Sequence, residues 1–255
     1  MKLVLNKLYN KYKQKYSSDD PIWSLHNFKN ENDIEVFGLI ASCYAYGQIG
    51  VMNKYLSEII NRMEGRPSDF TNNFNVKNDG KIFKGLNYRF NNEFDLMNLI
   101  ENIRINILKY GSLKNLFLEK YSEKDENILN ALKYFSDSLR KKYVNKLKNY
   151  DYLMPDVSKN STCKRLNLFL RWMARKDEID PGIWSREVDK SKLIMPVDVH
   201  VYRQARKMKL VKRTSCDIKF AILLTEKLKE YDSLDPVKYD FALCHKDIGK
   251  IQNPS

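Results

Sequence analysis

Residues 33–47, DIEVFGLIASCYAYG, constrain this chain more than any other stretch. Wound at 3.6 residues per turn, they carry Ile34, Phe37, Leu39, Ile40, Tyr44 and Ala45 nearly all the way round. A helix that is apolar on every side is stable only when other elements surround it, so this one is expected at the centre of the fold. Asp33 and Glu35 suit the dipole of its first turn, and Gly47 suits its C-cap. The elements around it also read as helices. Residues 1–16 form a basic amphipathic one. A second runs over 50–63 and ends at Gly65-Arg66-Pro67. A third spans Glu93 to Tyr110, stopped by Gly111, with Ser112 capping a short successor. Ile128, Leu132, Phe135, Leu139 and Val144 predict a long helix from Asp125 to Lys148, and two more are expected over Ser215–Glu230 and Asp235–Gly249. Residues 71–92, rich in Asn and Gly, read as loops and short helical turns. No period-2 run of useful length interrupts this pattern, so the expected fold is all-α.

A chain of 255 residues can bury a sizeable core as one unit. It also suits two helical lobes, about 17–150 and 151–255 plus the N-terminal helix, with the site between them. Apolar residues at 43% exclude a disordered chain, and no run approaches the 18 apolar residues of a membrane span. The N-terminus lacks the apolar core of a signal peptide, which makes the cytoplasm the expected location. The cysteines at 43, 163, 216 and 244 and the histidines at 26, 200 and 245 are too dispersed for a compact metal motif, so no metal or other cofactor is expected.

The net charge of +13 is unevenly distributed. From Arg140 to Lys176, eleven Lys and Arg face only Asp151 and Asp156, a net of +9. From Val199 to Arg213 there are six cations, Arg203 among them, and no acid. Together these stretches exceed the total, so the rest of the chain is slightly acidic. Such a footprint fits a partner that presents phosphates.

Between and within these basic stretches lie two helix starts. Lys164 falls in the first turn of one, and Pro196-Val197-Asp198 opens the other. An amine attacks carbon only when deprotonated, and the positive end of a helix, with Arg165 beside it, disfavours the ammonium. Asp198 is a natural N-cap. A capping carboxylate is held ionised and aimed, so it can stabilise a developing cation and assist proton transfer.

Residues 161–173 and 196–203, carrying Lys164 and Pro196-Val197-Asp198-Val199-His200, resemble the helix-hairpin-helix DNA glycosylase superfamily, particularly its 8-oxoguanine branch and most nearly the archaeal form. Through Asp33-Ile34-Glu35, Ala45-Tyr46-Gly47, Lys164–Met173 and Lys238–Leu243, the chain as a whole is similar to a bacterial family of uncharacterised proteins. The glycosylase resemblance implies a multi-helix glycosylase-like fold in which Lys164 attacks the sugar C1′ of an extruded, damaged nucleotide to give an imine. Asp198 would stabilise the transition state and His200 would contact a phosphate. The superfamily's glycine-rich hairpin ahead of the lysine is replaced here by the glycine-free stretch 154–161, so Ser158, Lys159, Ser161 or the helix N-terminus itself would have to anchor phosphate. An extruded base needs stacking faces, and Trp172, Tyr46 and Tyr88 are candidates by residue type.

The expectation is therefore a monomeric, all-α base-excision enzyme with lyase activity. It would act on damaged duplex or single-stranded DNA and remove an oxidised purine, 8-oxoguanine. A non-catalytic DNA- or RNA-binding protein on the same scaffold is the alternative.

Overall fold

The structure is a computed structural model that describes residues 1–13, 19–159 and 161–244. Among the described residues it is all-α, with two isolated β-bridges, Tyr88 with Asn91 and Lys176 with Pro181, and no strand. The chain forms two compact units. The first holds the described residues of Met1–Ser18, Glu123–Leu129 and Val157–Ser255; the second holds Asp19–Ser122 and Asn130–Asp156.

Helix α1 (Lys2–Tyr12) belongs to the first unit. Its expected continuation to residue 16 lies outside the described residues. The second unit is built from α2 (Glu31–Cys43), α3 (Ile49–Arg62), α4 (Pro67–Asn73), α5 (Val76–Asp79), α6 (Glu93–Tyr110), α7 (Leu113–Leu118), α8 (Leu129–Ser138) and α9 (Tyr150–Leu153).

Every residue of α2 from Ile34 to Cys43 is buried, as its all-round apolarity requires. The cap is Asn30 rather than Asp33, its side chain accepting from the Asn32 N–H at 3.0 Å. That leaves Asp33 and Glu35 to serve other helices. Asp33 Oδ1 accepts from the N–H and hydroxyl of Ser68 in the first turn of α4, at 2.8 and 2.7 Å. Glu35 accepts from the Leu113 and Lys114 N–H groups that open α7, at 2.8 and 3.0 Å. Thus α2 caps two helices distant in sequence, satisfying N–H groups that have no partner within their own helices. Gly47 does not end α2, whose C-cap is Tyr44. It lies in the turn beyond at φ +92°, where a Cβ would come within 3 Å of Arg89 and of the Tyr88 hydroxyl. Pro67 likewise starts α4, at a position where the missing N–H has no helical role.

The predicted helix over 125–148 is a correction. Helical structure there is confined to Leu129–Ser138, and residues 139–149 run as an irregular segment along α6. The reason is a buried polar ladder on α6, formed by Asp95, Asn98, Asn102 and Asn106. Asn106 donates to Ser138 O, and Asn102 and Asn98 both donate to Lys141 O. Asn98 Oδ1 accepts from the Tyr143 and Val144 N–H groups at 2.7 and 3.1 Å, and Asp95 Oδ1 accepts from Lys148 and Asn149. With its backbone satisfied by side chains, the segment has no need of helical hydrogen bonds, while Leu139 and Val144 still bury their side chains. Asn98→Ala should cost about 3 kcal/mol in urea denaturation, because it leaves buried backbone groups without partners; a loss under about 1 kcal/mol would mean that the ladder is dispensable.

The remaining helices of the first unit are α10 (Lys164–Ala174), α11 (Val199–Lys207) and α12 (Ile218–Lys229), with residues 239–244 also helical. The expected end at Gly249 and His245 lie outside the described residues. Phe169, Trp172, Trp184, Phe220 and Tyr239 are the fully buried aromatic side chains of this unit's core among the described residues. Asp217 caps α12 through the Phe220 N–H and is gripped by Arg213.

Candidate functional site

Lys164 is the first residue of α10. Ahead of it, Cys163 is left-handed (φ +51°, ψ +36°), a conformation uncommon for a residue with a side chain, and supplies no side-chain cap. Its N–H is held by Ser161 Oγ at 3.1 Å. The Thr162 hydroxyl donates to Val197 O at 2.7 Å, and Asn167 of α10 donates to Thr162 O at 3.0 Å. These bonds join the approach to α10 to the Pro196-Val197-Asp198 segment and bring the two helix starts together.

Asp198 divides its oxygens between two tasks. Oδ1 caps α11, accepting from the His200 and Val201 N–H groups at 2.9 Å each. Oδ2 faces Lys164 Nζ at 3.9 Å. That separation is an ion pair too long for a hydrogen bond. The two side chains are 26% and 25% exposed, enough to be reached from outside.

Below Lys164, the same side of α10 carries Asn167 and Arg171 at helical spacing, and Arg175 follows at the helix end. Arg171 pairs with Asp240 and with Asp180, the latter at 3.0 Å. Arg175 binds Asp180 at 2.6 Å, Asp177 at 2.7 Å and Asp235 at 2.9 Å, and donates to the Tyr9 hydroxyl of α1 at 2.9 Å. Both arginines are 3% exposed, so this is an interior network in which cations and carboxylates alternate.

Burial pushes the Asp240 carboxyl up to about 6, against the pull of Arg171 and Lys164 and with the Asp198 charge adding to the rise. Asp240 therefore shares a field with the Lys164–Asp198 pair. It lies in the stretch Lys238–Leu243, which carries a family likeness in sequence, yet its part beside the lysine could not be read because it is 76 residues away along the chain. Burial would also raise Asp177, but the Arg175 guanidinium and hydrogen bonds from the Asp180 backbone and Tyr9 bring it down to about 2.

These shifts have opposite signs in stability. A lowered carboxylate stabilises the fold above its unfolded value near 4, and that stability is lost as the pH falls towards 2. A raised carboxyl contributes stability below about 4 that is lost as the pH rises to about 6. Asp177→Asn should therefore flatten the acid limb between pH 4 and 2 by about 2 kcal/mol, as read from denaturant midpoints. An acid limb as steep as the wild type's would rule out Asp177 as its source.

The other sequence-predicted residues are placed as follows. Lys159 and Arg203 are exposed, and Ser161, Arg165 and His200 are half-buried, all in the first unit. Trp172 is fully enclosed in that unit's core, with neither ring face open. Tyr46 and Tyr88 belong to the second unit, where Tyr88 is buried and Tyr46 half-buried. Tyr46 donates to Asn91 Oδ1 at 2.7 Å, and the Tyr88 hydroxyl donates to Tyr46 O. Cys216 is exposed as a residue, and its thiol is pushed up by partial desolvation and by the charges of Asp198 and Asp217. Among the described residues no three His, Cys, Asp or Glu side chains are grouped to hold a metal ion, and no helix is long and apolar enough to cross a membrane.

No curated protein and no solved structure matches the chain. Residues 20–249 match the model of a family described as "Protein of unknown function (DUF2400)", and the chain belongs to that family.

Proposed function

We propose, for a member of a family described only as of unknown function, that Lys164 and Asp198 form the catalytic pair of a DNA base-excision enzyme with lyase activity. The observation that carries this reading is Asp198 itself: one oxygen is spent on the helix cap and the other is turned towards the Lys164 amine. A carboxylate fixed by two backbone N–H groups does not have to reorganise as positive charge develops near it.

In the proposed reaction, the neutral Lys164 amine attacks C1′ of an extruded nucleotide. The C1′–N9 bond breaks, and the purine leaves with the bonding electrons and takes up a proton. Asp198 stabilises the cationic character at the sugar and accepts the proton lost by the amine. Sugar ring opening gives the imine, and elimination at C3′ then breaks the strand. Lys159, Ser161, Arg165, His200 and Arg203 are proposed to contact phosphates, consistent with the basic stretches of sequence in which they lie, whereas Arg171 and Arg175 of the same stretch are spent on interior ion pairs. The enzyme is proposed to act as a cytoplasmic monomer on 8-oxoguanine in duplex or single-stranded DNA.

The test is borohydride trapping. Incubated with end-labelled DNA carrying one 8-oxoguanine, the protein should yield a covalent adduct and a cleaved strand. Binding without adduct or cleavage, on duplex and on single strands, would overturn the enzyme in favour of a nucleic-acid-binding protein.

A further inference from the structure

The exposed aromatic side chains among the described residues are Phe90, Tyr143 and Tyr152, at 47%, 42% and 37% exposure, and all three lie in the second unit. Two of them form part of a layered cluster. At its base, Tyr44, Tyr55 and Tyr88 are buried with ring centroids 4.9 to 5.9 Å apart. Tyr46 packs on Tyr88 at 5.0 Å. Phe90 and Tyr152 form the outer layer, 5.4 Å from each other and edge to face, at 6.3 and 5.1 Å from Tyr46. The cluster is fixed from beneath, so its outward rings are held without relying on a ligand.

Arg89 and a basic segment of the chain adjoin it. The Arg89 guanidinium lies over the Phe90 ring, 5.5 Å from its centroid. Asn91 donates to Asn149 O and Asn92 to Lys146 O, which fastens the Tyr88–Asn91 turn to the basic segment that leads into Tyr152. Arg89, Lys141, Lys146 and Lys148 are exposed, and none of them is within ion-pair distance of a carboxylate among the described residues. By contrast, Arg140 and Lys142 in the same segment are matched by Asp137, Asp151 and Asp156.

We infer that Phe90, Tyr152 and Arg89 form a binding site for single-stranded nucleic acid, an unpaired base stacking on the rings while Lys146 and Lys148 meet the flanking phosphates. Exposed cations with no carboxylate partner call for a polyanion, and partly exposed aromatic rings call for a flat apolar group; a single nucleic-acid strand supplies both. Every base has a π-face, so the site is sequence-tolerant. It stands apart from the lysine chemistry and does not rest on it.

The experiment is fluorescence anisotropy of a labelled oligothymidylate with the full-length protein. Wild type should bind, and Phe90→Ala/Tyr152→Ala should bind about tenfold or more weakly with an unchanged circular dichroism spectrum and melting point. Arg89→Ala should reduce the slope of affinity against salt. Binding by the double variant equal to wild type, or no binding by wild type at 50 mM salt, would overturn the site, as would equal competition by polyglutamate. The double variant should keep forming a borohydride adduct on a preformed abasic site if Lys164 is the nucleophile. The two proposals can therefore fail separately.

Discussion

Lys164→Gln is expected to abolish the borohydride adduct and to lower base release by at least about a thousandfold, while leaving DNA affinity within about threefold. The glutamine amide has no nucleophilic lone pair, yet it preserves most of the length and packing of a side chain that is only a quarter exposed. Asp198→Asn should act differently. The amide oxygen can still accept from the His200 and Val201 N–H groups, so α11 keeps its cap, but the negative charge facing Nζ is gone. Turnover should fall about a hundredfold or more with little change in substrate affinity. Equal losses in turnover and affinity would make Asp198 a cap alone. An adduct that persists in Lys164→Gln would move the nucleophile to another amine.

The second large effect is on stability. Arg175→Ala should cost about 4 kcal/mol, since it leaves the wholly buried Asp180 with Arg171 alone and strips Asp177 and Asp235 of their shared cation. For a chain of this size that is a fall of about 10 °C in melting temperature. Arg175→Lys should recover only part of it, because one ammonium cannot span the fork that reaches three carboxylates and the Tyr9 hydroxyl. A melting temperature within about 2 °C of wild type for the alanine variant would show that the unit relaxes to let water reach those acids.

Helix periodicity and caps were enough to place α3, α6 and α12 within three residues of their boundaries, and the start of α7, because each carries its own local signals. By contrast, α2 was found by its apolarity, while its cap and end lie elsewhere than Asp33 and Gly47. They failed where side chains on another element take over the backbone. Residues 139–149 have a helix-like apolar spacing, but their N–H and C=O groups are claimed by Asn and Asp side chains of α6 that were invisible as partners. Asp33 and Glu35 were legible as helix-start acids, although the helices they cap are α4 and α7. At the candidate site, Lys164 and Asp198 were readable because each marks a local helix start, and the structure sets them 3.9 Å apart. Asp240 has no such local signature. The aromatic platform was half-visible: Tyr46 and Tyr88 stood out by type, whereas which rings face outwards depends on the cluster's layering.

The first unit draws on both ends of the chain, and this has a consequence for how the protein is made. Tyr9 finds Arg175 and Asp177 only after 166 and 168 further residues, and Asn6 finds Tyr239 only after 233. On the ribosome, α1 is thus finished long before anything it binds has emerged, and its apolar stripe must wait unpaired while the second unit, whose segments all precede Val157, is already complete. The late arrival of α1's partners leaves its apolar side chains open to non-native contacts while the chain is being made. It also makes α1 an element that would lose part of its anchorage if synthesis stopped short of residue 239.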